Sequence, residues 1–194
     1  MCVVQHVRAR EVAYLQMLAI LSASRTPRGR KNLAEELRIG EGVVRTLLEG
    51  GKDLGHVIVL KGGVKISEQG EIFLRDALNL CGISGMFTVD EARKLLCGKR
   101  CVAHVVEGEV GDVLKTRDSL IRLGSCGVLI VESRGGNLLI PPIGEPLEHY
   151  DVALAEALKS RVRRDASVIV ACGDTFADAL TPLEWRCINI LRVF

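Results

Sequence analysis

The chain reads as an α/β protein of the α+β kind, and three observations carry that reading. Apolar residues recur at helical spacing through the first fifty positions, and a β-favouring run then turns on Gly62-Gly63. Beyond residue 100, strand-like runs such as CVAHVVEG and SVIVACGD alternate with helical stretches. The change of pattern divides the 194 residues into a domain over 1–80, a linker over 81–99 and a domain over 100–194.

In the first domain, Val12, Tyr14, Leu15, Leu18, Ala19 and Leu21 give an amphipathic helix from Arg8 to Ser24, ended by Pro27 and Gly29. Arg30 to Arg38 forms a second helix with Leu33, Ala34 and Leu37 inward. Gly40 makes the turn, and Glu41 to Glu49 forms a third with Val44, Leu47 and Leu48 inward. After Gly50, Gly51 and Gly55, the stretch HVIVLKGGVKISEQG is strand, Gly-Gly turn, strand. Ser67 caps a fourth helix, Glu68 to Leu80, whose Ile72, Phe73, Ala77 and Leu78 are expected to face inward. In the linker, Thr88 and Glu91 form a capping box for a helix through Leu96.

The second domain opens with the strand CVAHVVEG, followed by a helix from Asp112 to Leu123 and a hairpin, CGVLIVESRGGNLLIPPI, turning on Gly135-Gly136. Tyr150 to Val162 is a helix and SVIVACGD a strand. Thr181-Pro182-Leu183-Glu184 opens a last helix with a capping box and a proline in its first turn. The expected product is a small domain with a mixed sheet of four strands and helices packed on it.

Composition narrows the function. With 48% hydrophobic and 26% charged residues the chain is of ordinary globular type, and no apolar run approaches the roughly 20 residues of a membrane helix, so no membrane partner is expected. MCVVQHVRAREVAYLQ lacks the features of a signal peptide, and the expected location is cytoplasmic. Net charge is only +2, but residues 1–80 hold 12 Lys+Arg against 9 Asp+Glu while residues 81–194 hold 14 against 15. The mild basic surplus lies in the helical domain. Seven scattered cysteines without a CxxC pair argue against a metal, leaving buried or partly exposed thiols. Disulfides are the expectation only if the source is a hyperthermophile, towards which the scarcity of Asn and Gln and the preference for Arg over Lys point.

The order helix, helix-turn-helix, two-strand wing, helix resembles the winged-helix DNA-binding domain of archaeal and bacterial regulators over about residues 8–80. The resemblance rests on Leu33-Ala34-x-x-Leu37-x-Ile39, on Val44-Arg45-x-Leu47-Leu48, and on Ile66-Ser67-Glu68-x-Gly70, which stands where such proteins carry Leu-Thr-Glu-x-Gly. The full expectation is therefore a winged helix-turn-helix plus a small C-terminal mixed-sheet α/β domain. Docked in a major groove, the third helix would present Glu41, Gly42, Val43, Arg45, Thr46 and Glu49. Arg45 suits a guanine or a phosphate, Thr46 a thymine methyl, and a glutamate suits cytosine while repelling phosphate. Arg25, Arg28, Arg30, Lys31, Lys52, Lys61 and Lys65 surround that helix and are expected to pair with phosphates. The alternative is a protein-interaction module whose charges solvate a face.

In the second domain, TRDSLIRLGSCG followed by a strand, a Gly-Gly turn and LLIPP resembles the C-terminal domain of archaeal proteins that pair a winged helix with an uncharacterised α/β domain. Arg117-Asp118, Gly124, Gly127 and Pro141 carry it. Arg117 and Asp118, placed in the first turns of a helix, are candidates for holding an anionic effector, or else a surface ion pair. Asp174 and Thr175 follow a strand end, where α/β sheets place ligand-contacting groups; a plain helix cap explains Asp174 equally. Catalysis finds little support: His6, His56, His104 and His149 are scattered, no nucleophile elbow or phosphate-binding loop is present, and Cys172 has no assignable histidine. Glu107, Glu109 and Asp112 are read as a solvated loop.

The sequence thus predicts a regulator, not an enzyme, without cofactor or metal. Double-stranded DNA is the expected partner, with a small-molecule effector held near Arg117, Asp118 and Asp174. A homodimer is expected because one recognition helix reads few base pairs. A winged-helix interaction module and an enzyme using the α/β domain are the alternatives.

Overall fold

The computed structural model describes residues 10–162 and 164–191; the expected helix start at Arg8, and the residues Cys2 and His6, lie outside them. Among the described residues there are eight α-helices, two short 3-10 helices and eight strands.

The N-terminal part is α1 (Arg10–Ser22), α2 (Arg30–Leu37), α3 (Glu41–Asp53), β1 (Val57–Leu60), β2 (Gly63–Ile66) and α4 (Glu68–Leu80). α1 differs from the amphipathic expectation. Gln16, Met17, Leu18, Ala19, Ile20 and Leu21 are all buried, so the helix has no solvent stripe. It packs on α2, β2 and α4 on one side and on the last helix of the chain on the other. α3 also runs past its expected end at Glu49, through Gly50 and Gly51 to Asp53. A Cβ on Gly51 would stand 3.0 Å from Tyr14 Oη, so glycine there permits the close approach of α3 to α1. The wing strands pair antiparallel from Val57↔Ile66 to Leu60↔Gly63, and Arg28 adds a further bridge to Val64 through 2.9 Å bonds in both directions. Ser67 caps α4 as expected, accepting from Gly70 N at 3.0 Å. Leu74 and Leu78 are the buried side chains of α4, while the expected inward residues Ile72 and Phe73 are each 37% exposed. Phe73 stacks on His56, ring centroids 4.3 Å apart.

The stretch expected to be a linker belongs to the sheet. β3 (Ile83–Thr88) is its edge strand, and a 3-10 helix, Asp90–Lys94, replaces the helix expected from Thr88 to Leu96. Val89 stands at its N-cap with no side-chain bond, so the Thr88/Glu91 capping box does not form. Next come β4 (Arg100–Val106), α5 (Val113–Leu123), β5 (Gly127–Arg134), β6 (Asn137–Ile140) and β7 (Glu145–Pro146). The chain ends in α6 (Val152–Lys159), β8 (Ser167–Gly173), α7 (Phe176–Ala179) and α8 (Thr181–Leu191).

Six strands form the sheet in the order β3-β4-β8-β5-β6-β7, and every pairing is antiparallel. The fold class stands; the expectation of a mixed sheet of four strands does not. β4, α5 and β5 follow one another in sequence as strand, helix and strand, but β8 inserts between the two strands and runs opposite to both. Buried along its whole length, β8 is the centre of the sheet.

The sheet has a core on each face. On one, Cys101, Ala103, Val168, Val170 and Cys172 meet Leu154, Ala155 and Leu158 of α6. On the other, Val102, Val106, Val128, Ile130 and Ile169 share a continuous apolar core with α5, α8 and the buried residues of α1, α2, α3 and α4. The boundary expected near residues 80–99 is thus bridged by one core. It is also bridged by a disulfide, Cys81–Cys187, that ties the end of α4 to α8, with Cα atoms 5.0 Å apart.

Candidate nucleic-acid interface and the junction behind it

α3 lies against the wing so that a groove of about 490 Å³ opens between them. Four of the seven expected phosphate-binding cations line it, Arg28, Arg30, Lys52 and Lys61, together with Arg45 of the expected reading helix. The acidic residue lining it is Glu49, and that carboxylate is engaged, accepting from Arg45 Nε at 2.8 Å one helical turn away. The bond to Glu49 pushes the Arg45 pKa up, so the guanidinium stays charged. Arg28 is half-buried and braced, donating to Ser24 Oγ and Asn32 Oδ1, both at 2.8 Å. Its charge is pre-positioned rather than free to swing.

The remaining expected contacts lie around this groove. Arg25 and Lys31 are exposed before and within α2, Lys65 is half-buried on β2, and Glu41 and Gly42 are exposed in the first turn of α3. Thr46 is exposed too, but its hydroxyl donates to Gly42 O at 3.1 Å and it lines a neighbouring groove with Tyr14, Leu54 and Phe73. The apolar part of the wall was not foreseen: Val59 and Leu60, 60% and 44% exposed, stand beside the cations. Their signal in sequence is the unbroken run Val57-Ile58-Val59-Leu60, which lacks the apolar/polar alternation of a half-buried strand.

The four residues expected to hold an effector do not converge. α5 begins at Val113, capped by Asp112, whose Oδ1 accepts from Lys115 N at 3.0 Å. Arg117 and Asp118 therefore sit in its second turn, exposed, where backbone N–H groups are already bonded within the helix. The free N–H groups belong to the first turn, and the Asp112 carboxylate occupies them; the bonds from Lys115 hold the Asp112 carboxyl below its usual pKa. Asp174 is exposed at the other end of the sheet, following β8. Thr175, rather than Asp174, is the N-cap of α7, in a reciprocal capping box with Asp178.

Asp178 is the centre of a junction that sequence reading missed. It is 2% exposed, accepts from Thr175 N at 3.1 Å and Thr175 Oγ1 at 2.9 Å, and pairs with Arg38 of the helix-turn-helix at 2.7 Å. Next to it, Glu36 of α2 accepts from Arg100 Nη2 at 2.8 Å and from the Phe176 backbone N–H at 2.9 Å. Arg100 also lies over the Phe176 ring, 5.1 Å from its centroid. A Cβ on Gly173 would strike Asp178 Cβ at 2.0 Å, so glycine is required for β8 to turn this tightly into α7. A cavity of about 240 Å³ opens beside the junction between α1, β3 and α7, walled by Ala19, Met86, Phe87, Val102, Phe176 and Leu180.

Cysteine pairing departs from the expectation of free thiols. Besides Cys81–Cys187, disulfides join Cys97 to Cys126 and Cys101 to Cys172. Cys172 therefore carries no free thiol for nucleophilic chemistry. Among the described residues no group of three or more His, Cys, Asp or Glu is placed to hold a metal ion, and no helix is long and apolar enough to cross a membrane.

Residues 15–71 match the family model of the PH0730-like N-terminal domain, and residues 97–182 match that of a domain of unknown function, DUF4443. Among solved structures, the hypothetical protein PH0730 from Pyrococcus horikoshii OT3 superposes with a TM-score of 0.69 at 23% identity, with 93% of each chain covered. At that identity the likeness speaks for the fold, and it extends over both halves of the chain. A search of curated proteins gave no match.

Proposed function

We propose that this protein is a transcription regulator that binds duplex DNA through the groove between α3 and the wing. The observation that supports it is the concentration of Arg28, Arg30, Arg45, Lys52 and Lys61 on that groove, with the carboxylate beside them already paired to Arg45. Such an array releases condensed counterions when phosphates replace them, which is the main source of nonspecific affinity. α3 enters the major groove with Arg45 at base or phosphate level, and the wing lysine Lys61 and the braced Arg28 grip the flanking backbone. Two copies are required for a site of useful length, so the working form is a homodimer.

In this reading the α/β domain sets the position of the helix-turn-helix through Glu36 and Arg38. Of the residues expected to meet an effector, Asp174 and Thr175 adjoin that junction, whereas Arg117 and Asp118 are remote from it. A small, largely apolar effector in the cavity beside Phe176 would act on the same contact. The test is fluorescence anisotropy with a labelled duplex. Lys52→Ala combined with Lys61→Ala should weaken binding on every sequence alike, and unchanged affinity would overturn the reading.

One observation favours a second reading. Ile58, Val59 and Leu60 are all at least 44% exposed on β1, which suits a wing that meets an apolar protein surface. Loss of a protein partner on Val59→Glu, with DNA affinity unaffected, would favour it.

A further inference from the structure

Four cysteines meet at the end of the sheet that carries the α2–α7 junction. Cys101 on β4 and Cys172 on β8 are direct register partners, disulfide-bonded, with Cα atoms 4.2 Å apart. On the far side of Cys172 its partner is Gly127 of β5, so positions 101, 172 and 127 form a row across three adjacent strands. Opposed residues on antiparallel strands point to one face of the sheet with Cβ positions about 5 Å apart. Glycine leaves a gap in that row, and Cys97 fills it: a Cβ on Gly127 would stand 3.0 Å from Cys97 Sγ. Cys97 is bonded to Cys126, whose backbone N–H in turn donates to Cys172 O at 2.9 Å. The two disulfides are neighbours, and they differ in access. Cys97 and Cys126 are exposed, whereas Cys101 is 2% and Cys172 0% exposed.

We propose that this end of the sheet is a thiol–disulfide exchange site, in which an external dithiol reacts at the exposed Cys97–Cys126 bond and the electron pair passes inward to Cys101–Cys172. One thiolate of the external dithiol attacks Cys126 Sγ, forming a mixed disulfide and releasing the Cys97 thiolate. The second external thiol closes the external disulfide and frees Cys126 as a thiol. The Cys97 thiolate then attacks Cys172 Sγ, forming a Cys97–Cys172 bond and releasing Cys101, which takes a proton. Finally Cys126 attacks Cys97, which restores the exposed disulfide and leaves Cys172 as a thiol. The net change is one external dithiol oxidised and one buried disulfide reduced. An exposed pair is needed because a fully buried disulfide cannot be approached directly by an external thiol. Arg100 precedes Cys101, and Phe176 follows Cys172 closely, so the buried pair lies in the two segments that hold Glu36. This inference stands without the DNA-binding reading.

The test is graded reduction of the folded full-length chain with dithiothreitol, followed by alkylation and peptide mass mapping. With one equivalent of dithiothreitol, an acid quench and alkylation after denaturation, Cys101 and Cys172 should be recovered as the labelled pair and Cys97–Cys126 as a disulfide; labelling of Cys97 and Cys126 with Cys101–Cys172 intact overturns the proposal. In a Cys97→Ser/Cys126→Ser double variant the buried pair should be reduced at least ~10-fold more slowly than in the parent, because its internal attacking thiol is gone. An equal rate overturns the relay. In Cys126→Ser, Cys97 lacks its own partner and should be recovered bridged to Cys172; recovery as a free, fully alkylated thiol beside an intact Cys101–Cys172 bond also overturns it.

Discussion

Glu36 Oε2 accepts a hydrogen bond from the Phe176 backbone N–H at 2.9 Å across 140 residues of sequence. α7 has only four residues, and its N-terminus is satisfied partly by its own Thr175 and partly by this carboxylate from α2. The other oxygen of Glu36 holds Arg100, so one nearly buried side chain joins the helix-turn-helix to β4 and to α7, the helix that follows β8. Glu36→Ala would leave a buried N–H unpaired and Arg100 without its partner, at a cost of about 2–3 kcal/mol. Denaturant unfolding of the full chain measures it. Arg100 is 41% exposed and loses less, so Arg100→Ala should cost clearly less than Glu36→Ala.

The Arg45–Glu49 pair predicts an asymmetry in DNA binding. Glu49→Gln removes a carboxylate from the groove and frees Arg45, so binding at low salt should tighten several-fold; Arg45→Ala leaves Glu49 bare and should weaken binding more than loss of one cation alone. Anisotropy titrations of the two variants at one salt concentration make the comparison.

His104 predicts a pH dependence of stability. Its side chain is fully buried on β4, and burial lowers its pKa from 6.5 to about 4. The unfolded chain takes up a proton as pH falls through 6.5, whereas the folded chain resists until about 4. The contribution is therefore complete above pH ~7 and declines through this interval, with about 2 kcal/mol lost by pH 5. Urea unfolding at pH 7 and pH 5 gives the difference, and His104→Leu should reduce it.

Cys81–Cys187 closes a loop of 106 residues between α4 and α8. Removing both sulfurs, Cys81→Ala with Cys187→Ala, should lower stability by about 4 kcal/mol, chiefly by enlarging the unfolded ensemble. Thermal unfolding in the absence of reductant measures it, and full reduction of the parent chain, which also opens Cys97–Cys126 and Cys101–Cys172, should produce a larger shift.

Local elements were legible in sequence because local spacing determines them. The inward face of α3, the wing and the Ser67 cap all follow from residues within a turn or two of each other. The features that escaped notice depend on distant partners. Nothing between Gly127 and Gly173 announces that β8 inserts between β4 and β5, because a strand buried on both faces reads alike in any sheet order. α1 looked amphipathic from its own apolar spacing, yet Gln16 is wholly buried too, and the helix packs on α8 as well as on its sequence neighbours. Glu36 and Arg38 drew no reading because their partners Arg100, Phe176 and Asp178 are distant in sequence, and Thr175 read as a ligand group when it is the cap of a four-residue helix. Cysteine connectivity cannot be deduced from spacing, since six cysteines allow about 15 pairings. Six of the thirteen residues expected at the DNA interface line one groove; the effector residues are scattered because Arg117 and Asp118 lie on α5 while Asp174 and Thr175 follow β8, and no local spacing shows how the sheet order separates them.

The affinity of the purified protein for a promoter-length duplex, followed as salt is raised, tests the central claim most directly. Five groove cations per chain predict a log–log slope of about −4.5 for one bound protomer and about twice that for a dimer. A flat profile, or no binding even at low salt, would contradict the account and turn attention to the exposed apolar strand of the wing.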